Sequence, residues 1–411
     1  MKHVSRLQDK KYFAGNSSGG GVAHSTNPPI VILAFIAFLS IGISVINFGS
    51  TKSKNVVSDL STTGGSIPKS HSLATTVNPS TTDTISSTTS VLSSNQLGQG
   101  SLGSISCPTS NECITVGSNL GEGEIFYSYN GAQTFKIASI PSNINTLNSV
   151  FCSSVTDCIS VGNNAIVFST DSGATWNRSS VSIHNISLSS VTCTTSDYCV
   201  SVGQKLGNEN SDTGVILSSV NGGQSWSLDN IPSMTPSLNS VVCLTSTTCI
   251  AVGGAVVVTD NTGKSWVNRT VPDGISSLSS ISCMSSLTCI AVGPSSSGMS
   301  NGSAQAVAVE TTDGGNNFSH INIGAGSAFL ESIACSSTNC ISIGAGESIK
   351  SSTVEFETTN GIDWSEGPIN SNNLKLRETN LVNSNQLYLL GSDSSGMAIY
   401  ESLGQVLRKV G

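Results

Sequence analysis

Residues 147–176 read LNSVFCSSVTDCISVGNNAIVFSTDSGATW. Before Cys152, apolar residues alternate with small ones, the pattern of a short strand with one buried face. Five residues separate Cys152 from Cys158, and Cys-Ile-Ser-Val-Gly then supplies a second strand, so the two cysteines close a hairpin. Residues 165–169 predict a third strand. Ser169 to Trp176 forms a turn box in which the Asp171 side chain bonds backbone amides and glycine supplies positive φ. Trp176 opens a fourth strand and packs into the unit.

The unit repeats. L-x-S-[VI]-x-C, a link, and C-[IV]-x-V-G recur around Cys107/Cys113, Cys152/Cys158, Cys193/Cys199, Cys243/Cys249, Cys283/Cys289 and, one residue shorter, Cys335/Cys340. Copies are spaced by about 40 to 50 residues, the period of a propeller blade. The turn box recurs as 128–135, 169–176, 219–226, 259–266, 311–318 and a shortened 358–364, with Asn130, Asp171, Asn221, Asn261, Asp313 and Asn360 at its third position. A seventh unit lies in Leu376-Arg-Glu-Thr-Asn-Leu381, five residues, then Leu387-Tyr-Leu-Leu-Gly391, with leucines where the cysteines would stand and residues 398–402 as its third strand. The fold expected is all-β: a seven-bladed β-propeller of four-stranded blades over residues 99–411.

S-x-[DN]-x-G-x-[ST]-W resembles the Asp-box of BNR-repeat β-propellers, over residues 102–411. That group includes sialidases, sortilin-type receptors, xyloglucan-cleaving hydrolases and photosystem II assembly-factor propellers. The resemblance implies the fold; such different activities on one scaffold leave function to the site.

All 12 cysteines fall in the repeats, each with a partner six or fewer positions away. In an exported chain this spacing implies six disulfides. Zinc is the rival, but each unit has two thiols and no nearby histidine, short of the four ligands of a structural site. No metal or cofactor is expected.

The N-terminal segments suit export. Residues 1–28 form a short basic tail carrying Lys2, Arg6, Lys10 and Lys11. Residues 29–48 contain an uncharged apolar run, Ile30 to Phe48, about as long as the ~20 residues that cross a bilayer. It exceeds the usual signal-peptide core and no small-x-small cleavage site follows, which favours a single-pass anchor. Residues 49–98, rich in Ser and Thr, cannot bury enough apolar surface to fold and predict a tether of roughly 40 Å root-mean-square reach. The tail is placed in the cytoplasm and the propeller outside.

Charged residues make up only 10% of the chain and the net charge is −8, with five arginines in all, which argues against a nucleic-acid surface. So few ionised groups could suit an acidic environment. The disulfide hairpins and turn boxes share one face of a propeller, and the loops of variable length, 117–124, 203–214 and 293–306, share the other, where binding is usually built. Candidate binding residues there are Glu122, Glu124, Glu209 and Asp212. A sialidase-like arginine cluster is missing: Arg178 and Arg269 follow box tryptophans on outer strands, and Arg377 alone lies on an inner strand. Glu331 and Glu378, on neighbouring inner strands, are the carboxylate pair a glycosidase would use. The function expected is a protein- or glycan-binding module on the outer side of a membrane, with a surface glycoside hydrolase or an assembly or adhesion scaffold as alternatives.

Overall fold

The cysteine hairpins set the register of the sheets. Cys152 and Cys158, Cys193 and Cys199, Cys243 and Cys249, Cys283 and Cys289, and Cys335 and Cys340 stand directly opposite on antiparallel strands. With Cys107–Cys113 they form six disulfides, Cα to Cα 3.9 to 4.1 Å. The closeness marks non-hydrogen-bonded pairs, where opposed side chains approach best. In the last blade Leu381 stands opposite Leu387, so an apolar pair fills the same position.

The computed structural model describes residues 100–207, 213–294, 306–323, 329–345, 353–367, 375–383, 386–393, 396–403 and 406–409. They form seven sheets, six of four strands in simple sequential order and one of five, in which four sequential strands are joined at the outer edge by an earlier one. The first strands, Ser101–Ser106, Leu147–Cys152, Ile186–Cys193, Leu238–Cys243, Ser280–Cys283, Phe329–Cys335 and Lys375–Asn383, contact one another in a ring that closes from the last back to the first. This is the seven-bladed propeller, with blades numbered here along the chain. Blade 3 gains its fifth strand because Ser180–Val181, in the link from blade 2, pairs in parallel with Ser225–Leu228. The anchor and tether expected over residues 29–98 lie outside the described residues; among those described, no helix is long and apolar enough to cross a membrane.

The turn boxes are built alike. In blade 2 the Ser169 hydroxyl donates to Asp171 (2.8 Å) and accepts the Gly173 amide (3.0 Å), while Asp171 accepts the Thr175 amide (2.9 Å). Burial raises the Asp171 pKa, but the bonds from Thr175 and Ser169 outweigh it and hold the carboxyl below its usual range. Each of the first five boxes also docks on the disulfide hairpin of its own blade, as Gly222 N–H to Asp197 C=O (2.9 Å) does in blade 3. Glycine at the fifth box position answers to more than φ. A Cβ on Gly223 would lie 2.5 Å from Ile159 Cδ1, in the preceding blade.

One loop expectation is corrected. Residues 117–124 are mostly strand: Cys113–Asn119 and Glu122–Ser128 pair to their ends around the two-residue turn Leu120-Gly121, both at positive φ. The extra length extends the hairpin. Strands likewise continue to Lys205 and Pro294 on the other two long connections.

Every blade is one contiguous stretch, so no strand is exchanged across the closure. Blade 1 meets blade 7 through side chains: Leu102, Ile105, Phe126 and Phe135 pack with Tyr388, Leu390, Met397 and Ile399.

Candidate functional site

The inner strands share a bulge, and the bulge makes the site. After the leucine of L-x-S, the pairing skips one residue in six blades: Gly103, Asn148, Ser189, Asn239, Glu331 and Arg377 each lie between two paired neighbours without a ladder partner. The glycine ending C-[IV]-x-V-G explains why. A Cβ on Gly162 would collide with the Thr146 carbonyl, and the equivalents Gly117, Gly203, Gly253, Gly293, Gly344 and Gly391 all meet backbone in the same way. The bulged strand presses on this glycine, and the bulge residue is left at the channel edge of the sheet.

The bulge side chains differ around the ring. Asn148 donates to the Leu188 carbonyl (2.8 Å) and Asn239 to the Leu278 carbonyl (2.9 Å), each reaching the next blade. The following serine also bridges blades. Ser149, Ser190, Ser240, Ser280 and Ser332 accept the amides of Val191, Val241, Ile281, Ile333 and Thr379 at 3.2 to 3.3 Å. These amides belong to inner-edge strands whose outward N–H groups lack a ladder partner.

Blades 6 and 7 break the neutral pattern. Glu331 and Arg377 occupy the same bulge position in adjacent blades, so the residue level with Glu331 is Arg377, and Glu378 stands one step on, where five other blades carry the bridging serine. Arg377 and Lys375 are exposed; Glu331 and Glu378 are half-buried. Burial raises the Glu331 pKa, with the Arg377 charge opposing it. Glu378 keeps some exposure but is surrounded by protein; burial pushes it up to about 8, against a hydrogen bond with Ser332. A carboxyl raised that far is mostly protonated at pH 7, and in that form it can donate a hydrogen bond.

The other candidates sit apart. Glu122 and Glu124 lie at the loop-side end of one hairpin of blade 1, Glu122 exposed and Glu124 within 3.5 Å of Asn119 Nδ2. Glu209 and Asp212 fall outside the described residues. Arg178 and Arg269 do occupy outer strands, Asn177–Arg178 and Val267–Arg269, and bond backbone carbonyls. Lys375 stands one residue before Leu376, where the L-x-S pattern begins, and joins the site because the inner strand of blade 7 starts at Lys375, opposite Ser392. A further polar cluster joins blades 3 and 4: Asp229 accepts from Ser218 (2.6 Å) and from Trp266 Nε1 (3.0 Å), and burial raises its pKa. It replaces the bond to the box glycine carbonyl that Trp176 and Trp226 make (2.9 and 3.0 Å). Among the described residues no group of three or more His, Cys, Asp or Glu is placed to hold a metal ion.

The sequence matches no family model and no curated protein. Solved structures do resemble it. An ancestral GH74 enzyme aligns with a TM-score of 0.58 at 13% identity, over 76% of this chain and 46% of that one, so the likeness spans under half of the enzyme. YCF48 from Cyanidioschyzon merolae aligns at 0.55 and 16% identity, over 74% of this chain and 95% of that one. The WD40 β-propeller domain of Doa1 aligns at 0.53 and 11% identity, over 77% and 97%. At these identities the likeness is one of fold, and with the seven closed sheets it identifies the chain as a seven-bladed β-propeller.

Proposed function

We propose that the propeller is an extracytoplasmic binding head, held at a membrane by residues 29–48 through the tether 49–98, that recognises a protein or a glycan. The observation carrying this reading is the concentration of inner-strand charge on blades 6 and 7, whereas the inner strands of the other five blades carry no charged side chain. A rigid frame with one local departure in charge is how binding sites are commonly built on repeat folds. The six disulfides point to an oxidising environment and support export. The Asp-box likeness of the turn boxes belongs to the same reading.

A surface glycoside hydrolase is the second reading, favoured by two acids on neighbouring inner strands, Glu331 and Glu378, both raised by burial in the direction a general acid requires. A glycan-array and hydrolysis screen of the full chain in detergent, beside Glu331→Gln/Glu378→Gln, separates the two. The binding reading expects retention of a ligand without turnover. Turnover abolished by the double variant would replace it with the hydrolase.

A further inference from the structure

The inner strands of blades 1 to 5 contain no ionisable side chain apart from disulfide-bonded cysteine. Those of blades 6 and 7 contain Glu331, Lys375, Arg377 and Glu378. A charge on an innermost strand, hemmed in by two neighbouring blades, is costly unless it meets solvent or a partner, and the solvent within reach is that of the channel and its mouths. Arg377 and Lys375 are both exposed. Their strand comes from the blade whose bulge residue is a guanidinium, level with Glu331. Because Glu378 holds its proton at neutral pH, it adds a donor instead of a negative charge. The local balance is two cations to one carboxylate, in a chain whose net charge is −8.

The rest of the ring narrows the ligand class. Gly103, Asn148, Ser189 and Asn239 present no apolar side chain at the bulge level, and both asparagine amides are engaged with backbone carbonyls. A polypeptide partner usually anchors an aromatic or aliphatic side chain in an apolar pocket. This ring has no apolar bulge residue to line one. A carboxylated, hydroxyl-rich ligand matches the groups present: a guanidinium fork and an ammonium for the carboxylate, and a carboxylate acceptor beside them for a hydroxyl.

We infer that the channel mouth at blades 6 and 7 binds an acidic sugar of the uronic type, with Arg377 and Lys375 on its carboxylate and Glu331 accepting from a neighbouring hydroxyl. The inference rests on the glycan half of the binding reading above.

The test is calorimetric titration of the full-length protein in detergent with tetragalacturonate and, in parallel, the uncharged galactotetraose. Wild type should bind the acidic tetramer at least tenfold more tightly than the neutral one. Arg377→Gln should erase that preference, and Arg377→Lys, which keeps the charge but loses the fork, should reduce it severalfold. Glu331→Gln retains an acceptor and removes the opposing charge, so it should tighten binding of the acidic tetramer. Raising the pH from 7 to 9 should weaken that binding in wild type and leave Glu378→Gln unchanged. If both sugars bind equally and Arg377→Gln changes nothing, the acidic site is overturned while glycan binding stands. If neither sugar binds, glycan recognition itself fails, and Arg377-dependent binding of a peptide with a free carboxyl terminus would assign the site to another ligand class. Matching melting curves for wild type and Arg377→Gln would tie a lost preference to the site and not to the fold.

Discussion

Blades 2 and 7 follow one register with different chemistry. In blade 2, Cys152 and Cys158 close the first hairpin, Asn148 at the bulge ties to the next blade, and Ser149 accepts the Val191 amide. In blade 7, Leu381 and Leu387 close the hairpin, Arg377 at the bulge is exposed, and Glu378 replaces the serine and bonds back toward Ser332. What does not change is the bulge and the glycine beneath it, Gly162 in one blade and Gly391 in the other. The frame is therefore set by backbone geometry, while the hairpin pair, the bulge residue and the bridge can be exchanged. Blade 7 also faces the closure, where its side chains pack on those of blade 1.

The largest effect is expected at that closure. Tyr388 is fully buried among Leu102, Ile105 and Phe126 of blade 1. Tyr388→Ala should cost about 3 to 5 kcal/mol, read as a lowered melting temperature with early proteolysis near the carboxyl end. Melting like that of wild type would mean that the ring is held closed elsewhere. Next in size is an exchange of hairpin pairs between the two blades. Cys152→Ala/Cys158→Ala should cost about 2 kcal/mol by the chain-entropy model for so short a loop. Cys152→Leu/Cys158→Leu, the blade 7 solution, should recover part of that loss. Denaturant melts in which the leucine pair does no better than the alanine pair would show that the two hairpins are not interchangeable.

The bridge position differs in its response to pH. Glu378 has an ordinary pKa of 4.5 and a folded value of about 8, so the folded chain binds its proton more tightly. Its contribution to stability is fully present below about pH 4.5 and is lost as pH rises through about 8. Over that window wild type should lose on the order of 1 to 2 kcal/mol from this group, because channel solvent reaches the side chain and screens part of the effect. Glu378→Ser, which restores the residue of the other blades, should flatten the profile and raise the melting temperature at pH 8. An unchanged profile in that variant would assign the pH dependence to other groups, Asp229 first among them because burial raises it too.

The sequence carried the fold because each blade repeats the same solution. Cysteine spacing fixed the hairpin register, the box residues fixed the second turn, and Leu381 and Leu387 revealed the blade that lacks cysteines. The site was harder to read because its meaning lies in a departure from the repeat. Glu331 and Glu378 were visible as inner-strand acids, but only the bulge register puts Arg377 level with Glu331 and Glu378 on a serine position. The V-G glycines were equally opaque: nothing in a single strand says that a backbone carbonyl will press on Gly162. Contacts between blades, such as Gly223 against Ile159, depend on residues some sixty positions apart and leave no local pattern.

The smallest effect tests the bridge in its ordinary form. Ser190 accepts the Val241 amide across blades 3 and 4 at 3.3 Å, a long bond to an N–H that its own sheet does not use. Removing the hydroxyl leaves that amide at an inner edge, close enough to the channel for water to replace the lost acceptor. Ser190→Ala should therefore cost about 0.5 to 1 kcal/mol, at the lower end for one hydrogen bond, and leave the pH profile as in wild type. A cost above about 2 kcal/mol, in the range of a buried amide left without an acceptor, would mean that the amide is sealed from water. The serine ring would then contribute as much to holding neighbouring blades as their apolar faces do. Glu378 would be a still larger departure, since at pH values where it ionises it would put a charge into the same sealed position.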